Sequence, residues 1–199
     1  IFMQSSAGGD VIDILQKAEN ILDLVIKIIP YENKKKINIF LWQEWEAGPI
    51  IIGESIPYEN YIYLLAHLNY KDSIARTIAK IVAYNRHFPN NPIISPLIFE
   101  GFGYYIEKYN NDIYKEAKDI IKSQNISFFS IKKLWLDWNI YPAQIKPAIS
   151  AAFIKYLIEI GGTEKFNELL RDMQYSNAEK IYGASLTNII LDFEKKILQ

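Results

Sequence analysis

Arg76 and Lys80 stand four residues apart in the stretch SIARTIAKIVAYNRHFP, which runs from Ser73 to Pro89. On a helix that turns about 100° per residue, Ile74, Ile78, Ile81 and Val82 share one face. Arg76 and Lys80 fall nearly opposite, with Tyr84 and His87 close to them. Two cations one turn apart repel by about 0.2–0.5 kcal/mol in an isolated helix, and a nearby carboxylate removes that penalty. The chemistry open to the pair is therefore the holding of an anionic group, and the plain alternative is a solvated polar face. Glu100 is the candidate carboxylate. It lies among Leu97, Phe99 and Phe102 in SPLIFEGFGYYIEKY, and a carboxylate in that company needs a cation. Gly101 follows it directly. Glycine inside a helix costs about 1 kcal/mol relative to alanine, so Gly101 and Gly103 mark a helix that approaches another closely.

Other chemistry is sparse. There is no cysteine, which removes disulfides, thiolate zinc sites and thiol nucleophiles. The two histidines, His67 and His87, could join Glu100 in a metal site only if loops folded inward, and their spacing does not require it. No nucleophile elbow, phosphate loop or dinucleotide fingerprint occurs, and GGTEK lacks the preceding strand and the lysine spacing of a phosphate loop. The pairs Glu44/Glu46 and Glu116/Asp119 could be paired catalytic carboxylates, but without a cleft they read as exposed charges. No metal and no cofactor are expected. The formal charge of −1 gives no field that would favour nucleic acid. The longest apolar runs, such as ILDLVIKIIP, are broken by charges such as Asp23 and Lys27, so no membrane span is expected. No signal peptide is visible, and the chain opens on Ile1, so no compartment is assigned.

The elements that must position these groups follow from periodicity and punctuation. IFMQSS reads as a strand, followed by a turn at Gly8-Gly9 and a helix capped by Asp10. Ile12, Leu15, Ala18, Leu22, Val25 and Ile26 form its apolar stripe, and Pro30 ends it. KINIFLW alternates as a half-buried strand does, and two more strands fit GPIIIGESIPYENYIYLL. Helices are expected at 73–86, 96–109, 112–123, 130–137, 143–160, 163–174, 177–182 and 185–198. Ser73, Ser95, Ser130, Thr163 and Ser185 are the expected caps, and Gly161-Gly162 the left-handed end of the long helix. Trp135 and Trp138, three apart beside Ile131 and Leu134, suit core packing; the sharper reading is a flat platform for sugar or peptide. With 199 residues, half of them hydrophobic, the chain can bury one good core. The expectation is a single α+β domain, 1–199. Residues 1–86 form a small, mostly antiparallel sheet with helices, and 87–199 form an all-helical subdomain.

The order strand, helix, strand, edge strand, helix, and then PLIFEGFGYYIE, resembles the peptidase MA-like group of gluzincin metallopeptidases. Those proteins carry His-Glu-x-x-His on one helix and a third zinc ligand, a glutamate, on the next, typically in Pro-x-Trp-x-x-Glu-Gly-x-Ala-x-Tyr. Glu100 falls on that ligand position. AAFIKYLIEIGGTEKFNELLRDM and AEKIYGASLTNIILDFEKKI are similar to the closing segments of the family, so the resemblance covers nearly the whole chain. It implies a zincin-like fold. At the zinc helix the chain departs: Arg76 takes the place of the first histidine, Thr77 of the catalytic glutamate and Lys80 of the second histidine. Arginine stays protonated and cannot ligate, lysine must first lose a proton, and threonine cannot act as the general base.

The implied protein is a catalytically inactive pseudo-metallopeptidase that holds a peptide or protein in a remnant cleft of Arg76, Thr77, Lys80, Glu100 and Tyr104. The two cations would stand around Glu100 where zinc stood. Trp42 and Trp45 flank the expected edge strand, which in the family borders the cleft and pairs with extended peptide. The alternatives are an active hydrolase with non-standard ligands and an unrelated helical binding module.

Overall fold

The computed structural model describes residues 2–5, 11–30, 36–42, 61–65, 70–87 and 94–199. They belong to two compact units, Ile1–Arg86 and His87–Gln199.

The first unit holds strand β1 (Phe2–Ser5), helix α1 (Val11–Ile28), strands β2 (Asn38–Trp42) and β3 (Tyr61–Leu65), and most of helix α2 (Tyr70–His87). The strands lie in the order β1-β2-β3, with Phe2 opposite Asn38 and Asn38 opposite Tyr61. Both pairings are parallel. This corrects the expected antiparallel arrangement. A strand that leaves through a helix returns to its neighbour in the same direction, and α1 is such a crossover between β1 and β2. The α+β class is corrected as well. The strands have only four, five and five residues, and the described residues are mostly helical. One of the two strands expected after Trp42 is β3; residues 43–60 lie outside those described.

In α1 the buried stripe is Ile14, Ala18, Val25 and Ile28. Ile12, expected inside, is 75% exposed, and Ile26 is exposed as well. The true stripe is shifted in phase from the expected one, because isoleucine in this chain is common on both faces. The helix carries Lys27 in its last turn, where a cation suits the C-terminal dipole, and it stops short of Pro30.

The second unit is all helical: α3 (Pro96–Glu107), α4 (Ile113–Ser123), α5 (Ile131–Leu136), α6 (Lys146–Leu169), α7 (Tyr175–Tyr182) and α8 (Leu186–Leu198). Asp112 caps α4 by accepting the Lys115 amide, and Ser130 caps α5 by accepting the Lys133 amide. As expected, Gly161-Gly162 ends the first half of α6: Gly162, at φ 74° and ψ 171°, breaks the helix at a kink, and the second half follows from Thr163. The helix starting at Ser73 begins instead at Tyr70.

The unit's core is aromatic. Phe153 meets Trp135 at 5.9 Å and Phe193 at 5.1 Å between ring centroids, and Phe102 meets Phe166 at 5.4 Å. Gly101 brings α3 onto α6: a Cβ built on it would stand 2.9 Å from the Ser150 Cβ and 3.0 Å from the Ser150 carbonyl atoms. Trp135 is buried in this core, but Trp138 does not share its helix. Asp137 is extended, at φ −139° and ψ 99°, and sends Trp138 into a separate short 3-10 turn. There Lys146 donates to the Trp138 carbonyl at 3.0 Å and lies 4.8 Å from its ring. The two indoles therefore do not form one platform.

Candidate functional site

Helix α2 presents its charged residues more narrowly than its wheel suggests. From Ile74 to Ala83 only Arg76 and Lys80 escape burial. Ala75, Ala79 and Ala83 fill the positions beside the isoleucine face, so this stretch has no broad polar face. Thr77, which the gluzincin resemblance would set at the general base, is 6% exposed among core residues. A threonine hydroxyl cannot serve as the base that takes a proton from water. A glutamate written back at 77 would bury a carboxylate at a large cost unless a partner came with it.

Glu100 is partly buried on the first turns of α3, in the second unit, whereas Arg76 and Lys80 are in the first. Tyr104, one turn further along α3, donates its hydroxyl to Glu116 Oε1 of α4 at 2.5 Å. Glu116 thereby ties α4 to α3, and Asp119 is exposed. The two carboxylates line only a shallow surface depression with Asn111, Asp112 and Lys115. Trp42 ends β2, which is paired on both sides and offers no edge to a peptide. Trp45, Glu44, Glu46 and His67 lie outside the described residues, and His87 ends α2. Among the described residues no three His, Cys, Asp or Glu side chains lie close enough to hold a metal ion. Among the same residues no helix is long and apolar enough to cross a membrane.

The second unit carries a groove that the sequence did not announce. It has a volume of about 410 Å³ and is lined by Ile94 to Pro96, by Trp135 and Leu136, and by Met173 to Ser176. These are the start of α3, the end of α5 and the start of α7. Trp135 forms one wall: its Nε1 donates to the Met173 carbonyl at 2.9 Å, and its ring meets that of Tyr175 edge-on at 5.5 Å. Leu136, 67% exposed, is the apolar rim. Ser95 is the N-cap residue of α3, yet its side chain makes no capping bond. The Ser95 Oγ and the Tyr175 hydroxyl are buried without a hydrogen-bond partner.

A second cluster joins α4, α6 and α8. Tyr114 donates to Glu159 at 2.6 Å, Lys196 stands 3.7 Å from the Tyr114 ring centroid, and Lys155 and Lys196 both pair with Glu159. Burial and the Glu159 carboxylate raise the Tyr114 pKa, and burial together with the Tyr109 and Glu159 charges pushes Tyr105 up to about 12. These tyrosines are neutral donors at physiological pH. With Glu159 answering both lysines and the Tyr114 hydroxyl, the cluster is a helix clamp.

Glu194 of α8 clamps a different pair. Its Oε1 accepts the Ile131 amide, at the start of α5, at 2.7 Å. Burial raises its pKa above the ordinary 4.5, against the lowering by the Ile131 amide and the Ser130 hydroxyl. The folded chain therefore keeps this proton to higher pH than the unfolded chain does. The stability Glu194 contributes is full below about pH 4.5 and declines as pH rises through the folded-state value. Glu194→Gln keeps the acceptor and removes the titration. Denaturant midpoints measured between about pH 4 and about pH 8 should fall less steeply for this variant, which should be at least as stable as the wild type at neutral pH. Parallel curves would assign the pH dependence to other groups.

No protein-family model matches the chain, and neither a curated protein nor a solved structure matches it.

Proposed function

We propose that this chain acts by binding, as a non-catalytic relative of the gluzincin peptidases with a peptide or protein as its ligand. The observation that carries this reading is the environment of Thr77. The position that would hold the general base bears a threonine packed in the core, between Arg76 and Lys80, which stand where the resemblance sets the two histidine ligands. The order of the sequence motifs supports the relationship, and the close approach of α3 to α6 at Gly101 supplies a physical reason for the Glu100-Gly101 pair.

The test is elemental analysis of the purified full chain after dialysis against zinc, cobalt or manganese. A quenched-peptide hydrolysis assay, with and without a chelator, accompanies it. Substoichiometric metal, no cleavage and a melting temperature unchanged by chelator are expected. One tightly held metal per chain with chelator-sensitive cleavage would overturn the proposal.

A further inference from the structure

Where α4, α6 and α8 meet, a cation is held by rings rather than by hydrogen bonds. The Lys196 ammonium stands 3.7 Å from the centroid of the Tyr114 ring and 5.2 Å from that of Tyr156. Both distances fall inside the limit of about 6 Å at which an aromatic face attracts a cation. The Glu159 carboxylate is further off than an ion pair needs: Oε2 is 4.0 Å from Lys196, and Oε1 is 3.9 Å from Lys155. A hydrogen bond from an ammonium to a carboxylate spans about 2.7–2.9 Å. Neither lysine therefore reaches Glu159 with a hydrogen bond, and Oε2 accepts from the Tyr114 hydroxyl instead.

That spacing suits a different cation. A quaternary nitrogen has no proton to donate, and its methyl groups touch oxygens at about 3.3–3.6 Å, which sets the nitrogen itself further back. Aromatic faces are the usual receptors of such groups. A primary ammonium is strongly hydrated and gives up part of its water to lie over a ring. The Lys196 side chain is 41% exposed, so its head can return to water with α8 in place. It leaves behind two ring faces, the Glu159 carboxylate, and the charge of Asp192, which reaches Tyr156.

We infer that Tyr114, Tyr156 and Glu159 form a binding site for a quaternary ammonium group, and that Lys196 is the internal cation this ligand displaces. A choline-type head group and a trimethylated lysine side chain share that chemistry. The site lies wholly in the second unit and does not depend on the function proposed above.

The experiment titrates the full chain with choline and with N-acetyl-trimethyl-lysine amide, following the N-methyl proton signal and the tyrosine ring resonances by NMR. The two ligands separate a head-group source from a modified peptide. 3,3-Dimethylbutan-1-ol, which has the shape of choline without its charge, is the control. Saturable binding of at least one cation is expected, with the Tyr114 and Tyr156 rings shifted. The uncharged control should be weaker than choline by about fivefold or more if choline is the ligand; an unmethylated N-acetyl-lysine amide should be weaker by the same factor if the peptide is. Lys196→Met removes the competing ammonium and should tighten binding by about threefold or more, while Glu159→Gln should weaken it by about as much. No saturable binding in either the wild type or Lys196→Met would overturn the inference. So would equal binding of a cation and its control, unmoved Tyr114 and Tyr156 rings, or an affinity unchanged in both variants.

Discussion

Phe193→Ala should destabilise the chain by about 3–5 kcal/mol, the range for emptying an aromatic site in a packed core. Phe193 is fully buried. Its ring stands 5.1 Å from Phe153, 5.6 Å from Tyr156 and 6.4 Å from Phe129, with the Phe129 contact edge-on. Removing it therefore strips three aromatic neighbours of one partner, and each such pair is worth about 0.5–1.5 kcal/mol beyond its buried area. Thermal unfolding should fall by roughly 10 °C or more. Phe193→Leu refills most of the volume and should lose much less. A loss below about 1 kcal/mol for the alanine variant would mean that the aromatic core between α6 and α8 packs otherwise than described.

Gly101→Val is the second large effect. Its Cβ would meet Ser150 at 2.9 Å, with the Ser150 carbonyl carbon and oxygen each at 3.0 Å. Two of these atoms are backbone of α6, so relief requires one helix to move off the other. Overpacking of this kind costs about 1–3 kcal/mol, and the helix-propensity gain over glycine offsets well under 1 kcal/mol of it for a β-branched residue. A urea midpoint lowered with an unchanged m-value is the expected result. Ser150→Gly, which opens the facing position, should recover part of the loss in the double variant. No recovery would place the conflict elsewhere.

Much of the helical layout was readable because local rules act locally. Pro96 after Ser95, the Ser130 cap and the Gly161-Gly162 pair each fixed a boundary within a few residues. Gly101 was readable for the same reason: a costly residue in an apolar helix signals a close neighbour. The sheet direction was not read, although a helix between β1 and β2 already implied parallel strands. The stripe of α1 was misphased because Ile12 and Ile26, apolar by type, lie outside. The groove was invisible for a different reason. Ser95, Trp135 and Tyr175 follow one another at intervals of 40 residues in sequence, and no short pattern joins residues that only tertiary packing brings together. Ser95 also looked complete as a cap, and only the coordinates show that its hydroxyl makes no capping bond.

Gly162 sets a constraint on how this protein can vary. At φ 74° and ψ 171° the backbone occupies a region essentially closed to any residue with a Cβ, although nothing stands near the site to be struck by one. Before it α6 supplies Phe153 to one aromatic group, and after it Phe166 to another. Any descendant or ancestor of this chain that keeps both groups should carry glycine there, even where Phe153 and Phe166 themselves have drifted to other apolar residues.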